Sequence, residues 1–305
     1  MSSCPVHKDT KIFSELIFQL SKRCVGQQTG EETRSQGGSS TASYAQWRDE
    51  ALENEFRRCF DTQLIQGKDI LDLGCGTGGL AFLLIKLGAK SCIGIDLSRK
   101  DIKIAQSKLG NQPIVFQCAS NTATIDLPDG SVDVVACFDV MEHIIEYHSI
   151  ISEWRRILRP GGRVLISWQP WFHPYGHHAR SYLPIPWVHV FLNHRQRTEL
   201  CARIVDLPEF KAPWWDRDEN GNRINRFREA LNNKQLSEKS NFLNELTMAE
   251  FERICRASRL DVEERIFQPF SGPSVTRWVS HLLSQLPGIR EFFTSKVIYI
   301  LQRRA

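Results

Sequence analysis

Between residues 69 and 168 the chain alternates short apolar runs with segments of helical length. The runs are DILDL at 69–73, SCIGID at 91–96, PIVFQC at 113–118, VDVVACF at 132–138 and RVLISW at 163–168. Their apolar character is nearly continuous, which predicts strands buried on both faces. Between the last two, residues 148–158 place Ile150, Ile151, Trp154, Ile157 and Leu158 on one face of a helix. Strand and helix in this rhythm predict an α/β fold, a doubly wound and mostly parallel sheet.

The flanking text reads differently. An amphipathic helix is expected over 11–23, where Lys11, Glu15 and Gln19 interrupt the apolar face, and a second over 44–60. Between them GQQTGEETRSQGGSSTA has the composition of a linker or lid. After Trp168 the alternation stops, and prolines stand at 170, 174, 184, 186, 208 and 213, which marks an insertion. The pattern resumes where Thr247 and Glu250 form the signature of a capping box for a helix through Ala257. Strands over 260–267 and 296–301 follow. The expected organisation is therefore N-terminal helices and lid at 1–60, a core at 61–168, an aromatic-rich insertion at 169–246, and a C-terminal helix and strands at 247–305.

Composition narrows the function classes. The 305 residues are 41% apolar and 24% charged, ordinary for a globular protein. A formal charge of +4 is too diffuse for a domain that grips a phosphate backbone. Nine cysteines without a CxxC pair fit free thiols and a cytoplasmic setting. No apolar stretch reaches the ~20 residues of a membrane span, and no signal peptide is expected.

The chemistry concentrates in ILDLGCGTGGLAFLL, a strand that runs into glycines and then a helix. Gly74, Gly76 and Gly78 or Gly79 satisfy both GxGxG and GxGxxG, so glycine spacing alone does not separate a nucleoside cofactor from a dinucleotide. Asp72, two residues before the first glycine, does. A carboxylate there can hold an ammonium group but would repel a pyrophosphate. Asp96, twenty positions beyond Gly76, ends the next strand where a carboxylate reaches ribose hydroxyls. One acid for an ammonium and one for a ribose describe S-adenosylmethionine better than a nicotinamide dinucleotide.

With LDLGCGTGG, GIDLS, DLPDGSVDVVACFDVMEHI and ILRPGGRVLIS in this order, the sequence resembles the class I S-adenosylmethionine-dependent methyltransferases, in the broad group with ubiquinone-pathway O-methyltransferases. The resemblance covers residues 66–168 and the final helix and strand pair. It implies a Rossmann-like fold with a seven-stranded sheet. It also implies that Asp72, Gly74, Cys75 and Gly76 hold the amino-acid half of the cofactor and that Asp96 takes the ribose beside Leu97. Ser120 and Asn121 are implied to meet the adenine. Ser120 replaces the family's usual Asp, so the adenine amino group is met by Asn121 or by a main-chain carbonyl. Phe138 and Asp139 are implied to face the methionine portion and the reacting methyl.

Candidate bases are His143 in DVMEH, His148, and the histidines of WQPWFHPYGHH. His173, His177 and His178 have i, i+4 spacing, but Pro174 and Gly176 break the helix a shared metal would need, and no cysteine pair completes a zinc set. Asp139, Glu142 and His143 resemble an acid-histidine motif that some family members use for a divalent metal. No metal is nonetheless expected. Trp168, Trp171, Trp187, Trp214 and Trp215, with Tyr175, Tyr182 and Phe191, would form an aromatic roof over a small apolar acceptor, with His173 and Tyr175 facing it.

The expected function is methyl transfer to an O, N or C nucleophile of a small metabolite. Three alternatives stand beside it. The run His194, Arg195, Arg197 and Arg203 points to RNA or protein as acceptor. Asp72 weighs against an NAD-dependent oxidoreductase. A non-catalytic binding protein on the same fold is the last.

Overall fold

The computed structural model describes residues 5–25, 52–121, 123–176, 178–210, 222, 224–232, 243–270 and 274–304. The linker, Trp214, Trp215 and His177 lie outside the described residues. The chain divides into two compact units, 46–171 with 244–305, and 1–45 with 172–243.

The first unit is built on a seven-stranded sheet in the order β3-β2-β1-β4-β5-β7-β6. The strands are β1 (Asp69–Leu73), β2 (Ser91–Asp96), β3 (Ile114–Cys118), β4 (Val132–Phe138), β5 (Leu158–Trp168), β6 (Leu260–Gln268) and β7 (Lys296–Arg303). The first five run parallel, and β7 is antiparallel to both β5 and β6. The strand order reverses between β1 and β4, and the crevice outside their carboxyl ends is where open α/β sheets bind ligands.

Each sheet face carries its own core. One face buries Trp154, Trp168, Phe251 and Tyr299, with Trp168 and Phe251 rings 4.5 Å apart. The other buries Leu84, Phe56, Phe60 and Phe138. Trp168 is therefore a core residue at the end of β5, between Phe251 and Tyr299, and not part of an aromatic roof.

Strand β5 begins five residues before its expected start. Leu158 already pairs with Val132, and the register shifts between Val132 and Val134 to take up the extra residues. Gly162 makes this bulge possible, because a Cβ there would stand 2.8 Å from the Asp133 carbonyl. The helix before it, Tyr147–Ile157, has the expected apolar face of Ile150, Ile151, Trp154 and Ile157. Thr247 caps Met248–Ala257 by accepting from the Glu250 N–H at 3.2 Å. The Glu250 carboxylate pairs with Arg253.

The second unit is helical among the described residues, with helices Pro5–Val25, Val188–Phe191, His194–Val205 and Arg226–Asn232. Ile17, Phe18, Leu183, Leu200, Ile204 and Phe227 share its core. Asn193 and Gln196 form a reciprocal capping box at the start of His194–Val205. The basic run in that helix is largely spent internally. Arg197 is buried and donates to the His189 and Leu192 carbonyls at 3.2 and 2.6 Å. Arg203 pairs with Glu15 at 2.8 Å and lies over Phe18, and Arg195 pairs with Glu199.

Candidate active site

The glycine turn after β1 is shaped by two different demands. Gly74 has φ +76°, and a Cβ on it would fall 2.2 Å from Val140 Cγ2, so this glycine lets the β1 loop pass against the residue following Asp139. Gly78 has φ +90° and would meet Phe116 at 2.7 Å. Gly76, at φ +52°, faces open space, so a ligand can come up to its backbone. Gly74→Ala is expected to combine the clash with a left-handed strain, lowering the thermal midpoint and weakening S-adenosylhomocysteine binding by at least about tenfold, measured by calorimetry.

Asp72 is 1% exposed at the end of β1, and its Oδ2 has no hydrogen-bond partner among the described residues. Burial pushes its pKa up to about 7. The Ala81 backbone N–H opposes the rise, and the nearby Asp96 adds to it. A buried carboxyl with an unfilled acceptor fits a cation in the crevice, which would supply the charge and the hydrogen bond that the site lacks. Cys75 is buried, and its thiol is driven up by desolvation and by the two carboxylates, so it packs as a small apolar group.

Asp96 organises the turn. Its Oδ2 accepts from the Gly76 N–H at 2.9 Å and its Oδ1 from the Ser98 N–H at 2.7 Å. Each oxygen keeps a lone pair for a hydroxyl donor. Leu97 beside it is 53% exposed, an apolar surface beside the β2 end. On the β3 loop, Asn121 Oδ1 accepts from the Ala123 and Thr124 N–H groups at 2.7 and 2.9 Å, and its Nδ2 donates to Ser120 Oγ at 3.2 Å. Asn121 therefore holds its own loop, which leaves main-chain carbonyls as the better acceptors for an adenine amino group.

At the end of β4, the Phe138 ring turns into the core against Phe56 and Phe60, with centroids 6.1 and 5.3 Å away. Its ring is thus a core group, and its main chain ends β4 next to Asp139. Asp139 has φ +56°, a left-handed conformation that Asp tolerates better than most residues. Its N–H donates to the Ser167 carbonyl at 2.8 Å, and its carboxylate receives Lys296 Nζ at 2.9 Å.

Lys296 was not legible as a site residue. Starting β7, it also donates to Glu55 at 2.9 and 3.1 Å and so ties the helical stretch 52–59 to the ends of β4 and β7. Its pKa is raised although desolvation opposes this, because the two carboxylates outweigh burial. Glu142 lies just beyond, buried, with its pKa pushed up to about 8 by desolvation and by Asp139. Asn244 Nδ2 fixes this turn by donating to the Met141 and Ile144 carbonyls at 2.7 Å.

His143 ends the turn Met141–His143 that follows β4. Its ring reaches solvent, yet the protein around it lowers its pKa, with Asp139 opposing, so the imidazole is neutral near pH 7. His148 lies 3.8 Å from Glu250 on the exposed face of its helix.

His173 and Tyr175 belong to the helical unit. His173 Nδ1 accepts from the Tyr175 N–H at 3.1 Å, which places the ring proton on Nε2. Burial first, then His178, His189 and Arg180, drive its pKa down to about 3. Burial and these neighbours favour the neutral form of a ring that the Tyr175 N–H holds in place. The Arg180 guanidinium lies over the Tyr175 ring at 4.9 Å.

The family model described as "Methyltransferase domain" matches residues 71–166. This stretch of the chain is similar to a methyltransferase domain. The match spans the glycine turn, Asp72, Asp96, Asp139 and β5. Over 106 residues the chain is 35% identical to a ubiquinone biosynthesis O-methyltransferase of Paracidovorax citrulli, covering 34% of this chain and 44% of that relative. It is 39% identical over 101 residues to a probable S-adenosylmethionine-dependent methyltransferase of Mycolicibacterium smegmatis, covering 33% and 38%. The chain thus matches less than half the length of either relative. Among solved structures, a putative S-adenosylmethionine-dependent methyltransferase of Listeria monocytogenes superposes with a TM-score of 0.52 at 16% identity, covering 84% of this chain and all of that one. One from Mesorhizobium loti gives 0.51 at 18%, covering 85% and 98%. At these identities the likeness is one of fold. Among the described residues no helix is long and apolar enough to cross a membrane.

Proposed function

We propose that this protein transfers a methyl group from S-adenosylmethionine to an oxygen of a small apolar or aromatic acceptor. The observation that carries the reading is Asp72, a buried carboxyl with an open acceptor behind a glycine whose backbone a ligand can approach. Oxygen is favoured as the acceptor atom by the name of the Paracidovorax relative.

The residues divide the work. Asp72 takes the ammonium of the amino-acid half, Gly76 lets that half lie against the backbone, Asp96 accepts from the ribose hydroxyls, and Leu97 covers one face of the base. The bound cofactor supplies an electrophilic methyl on a sulfonium leaving group. The protein chiefly positions the acceptor oxygen, and holding reacting atoms ~3–3.5 Å apart in line can lower the barrier by several kcal/mol. His143, neutral at working pH and directly after β4, takes the hydroxyl proton. Asp139, held by Lys296, places an anionic edge beside it. His173 and Tyr175 enter this reading only through their place in the chain after β5, and His173 does so as a neutral Nε2–H donor.

RNA or protein acceptors are disfavoured by the internal pairing of Arg195, Arg197 and Arg203. The test is a mass-spectrometric screen of phenolic, catechol and quinol metabolites with purified protein and labelled S-adenosylmethionine. One labelled methyl on a small acceptor is expected. Label appearing only in RNA or protein would refute the small-molecule reading.

A further inference from the structure

The connection from β6 to β7 carries a helix, Ser274–Ser284, whose polarity is inverted. Ser280 and Ser284 face inward. Ser280 is 2% exposed, accepting from the Phe270 N–H at 3.0 Å and donating to the Arg277 carbonyl, and Ser284 is fully buried and donates to the His281 carbonyl at 2.8 Å. Most of its apolar side chains face outward, with Leu283 half-buried. Val275 is 70% exposed, Trp278 65% and Leu282 51%, and Val279, Leu286 and Ile289 are exposed with them. Positions 275, 278, 279, 282 and 286 recur at the offsets of one helix stripe, so these side chains form a continuous apolar ridge.

A soluble helix ordinarily places these residue types the other way round, and an exposed contiguous apolar patch marks a contact surface. The charge around the ridge identifies the partner. From Pro269 to Arg290 the sequence contains no Asp or Glu, while Arg277 and His281 are exposed beside the ridge and line a groove with Pro269, Val275 and Trp278. An anionic lipid surface meets both features at once: the ridge enters the acyl boundary, Trp278 sits at headgroup level, and Arg277 reaches lipid phosphate.

We propose that Ser274–Ser284 docks this protein onto anionic membranes. Because β7 is antiparallel to β5 and β6, the 269–295 connection lies at the carboxyl edge of the sheet, the edge that holds Asp72 and Asp139. Docking there would set that edge against the bilayer. It does not depend on which acceptor is methylated.

The full-length protein is sedimented with vesicles of phosphatidylcholine alone and of phosphatidylcholine mixed with phosphatidylglycerol, alongside Leu282→Asp, Trp278→Ser and Arg277→Gln. The wild type is expected to partition onto mixed vesicles at least about tenfold better than onto neutral ones, and salt should release it. Arg277→Gln should lose about fivefold, roughly the value of one basic side chain near a charged surface. Leu282→Asp and Trp278→Ser should fall to the level of neutral vesicles with unchanged circular dichroism, since both positions are solvent-exposed. Failure to partition onto mixed vesicles, equal binding to both vesicle types, or a concentration-dependent dimer that Leu282→Asp dissolves while vesicles stay unbound would overturn the proposal.

Discussion

Asp72→Asn is expected to weaken S-adenosylhomocysteine binding by at least about a hundredfold, ~3 kcal/mol, and to leave the ligand-free protein more stable than wild type above pH 7. Both effects come from the same burial. The amide keeps the shape but removes the charge that pairs with an ammonium. The stability effect follows from linkage. Asp72 has a folded pKa of about 7 against an ordinary carboxyl value near 4, so between those values the folded chain holds a proton that the unfolded chain has released. Stability of the ligand-free protein therefore falls as pH rises through that window, and Glu142, at about 8, extends the fall upward. The asparagine variant does not titrate, and thermal melts from pH 5 to pH 8 should show a shallower decline than wild type. A shift of this size corresponds to a few kcal/mol, offset in part by about 1–3 kcal/mol for leaving a buried amide incompletely paired. Unchanged ligand affinity, or a steeper decline with pH, would remove Asp72 from the site.

Lys296→Met should destabilise the sheet unit by about 2–4 kcal/mol, because it leaves the Glu55 and Asp139 carboxylates facing each other without their cation. For a domain of this size the midpoint should drop by roughly 5–10 °C. Two consequences distinguish this from a generic cavity. Losing the lysine removes a charge that holds the Glu142 pKa down, so Glu142 should rise further. Asp139 also loses the partner that helps keep its left-handed backbone in place, so ligand affinity should fall with stability. Lys296→Arg should restore most of both losses. If Lys296→Met melts like wild type, the clamp contributes nothing.

What the sequence disclosed depended on the range of the signal. The strands at 69–73, 91–96 and 132–138 are buried on both faces, so their apolar runs are continuous and their limits stand out. The start of β5 is obscured because Pro160, Gly161 and Gly162 have the composition of a turn, although here they form a bulge inside a strand. Asp72 and Asp96 could be located beside the glycine turn because their positions follow from local spacing. Lys296 could not: its partners lie 157 and 241 positions away, and no periodicity links them. The surroundings of His173 were out of reach for the same reason: burial first, then His178, His189 and Arg180, favour its neutral form, and none of this shows in its residue type. The helix Ser274–Ser284 has an ordinary amphipathic pattern, and only its packing shows that Ser280 and Ser284 are inside.

The central claim is that a buried Asp72 receives a cationic, ribose-bearing cofactor, and calorimetric titration of the wild-type protein tests it most directly. S-adenosylhomocysteine and NADH are titrated separately at pH 8 and pH 6. Saturable binding of S-adenosylhomocysteine is predicted, weaker at pH 6 by up to about tenfold, with proton release at the lower pH as Asp72 ionises against the ammonium, and no binding of NADH. Binding that is independent of pH, or NADH binding as tight as S-adenosylhomocysteine, would contradict it.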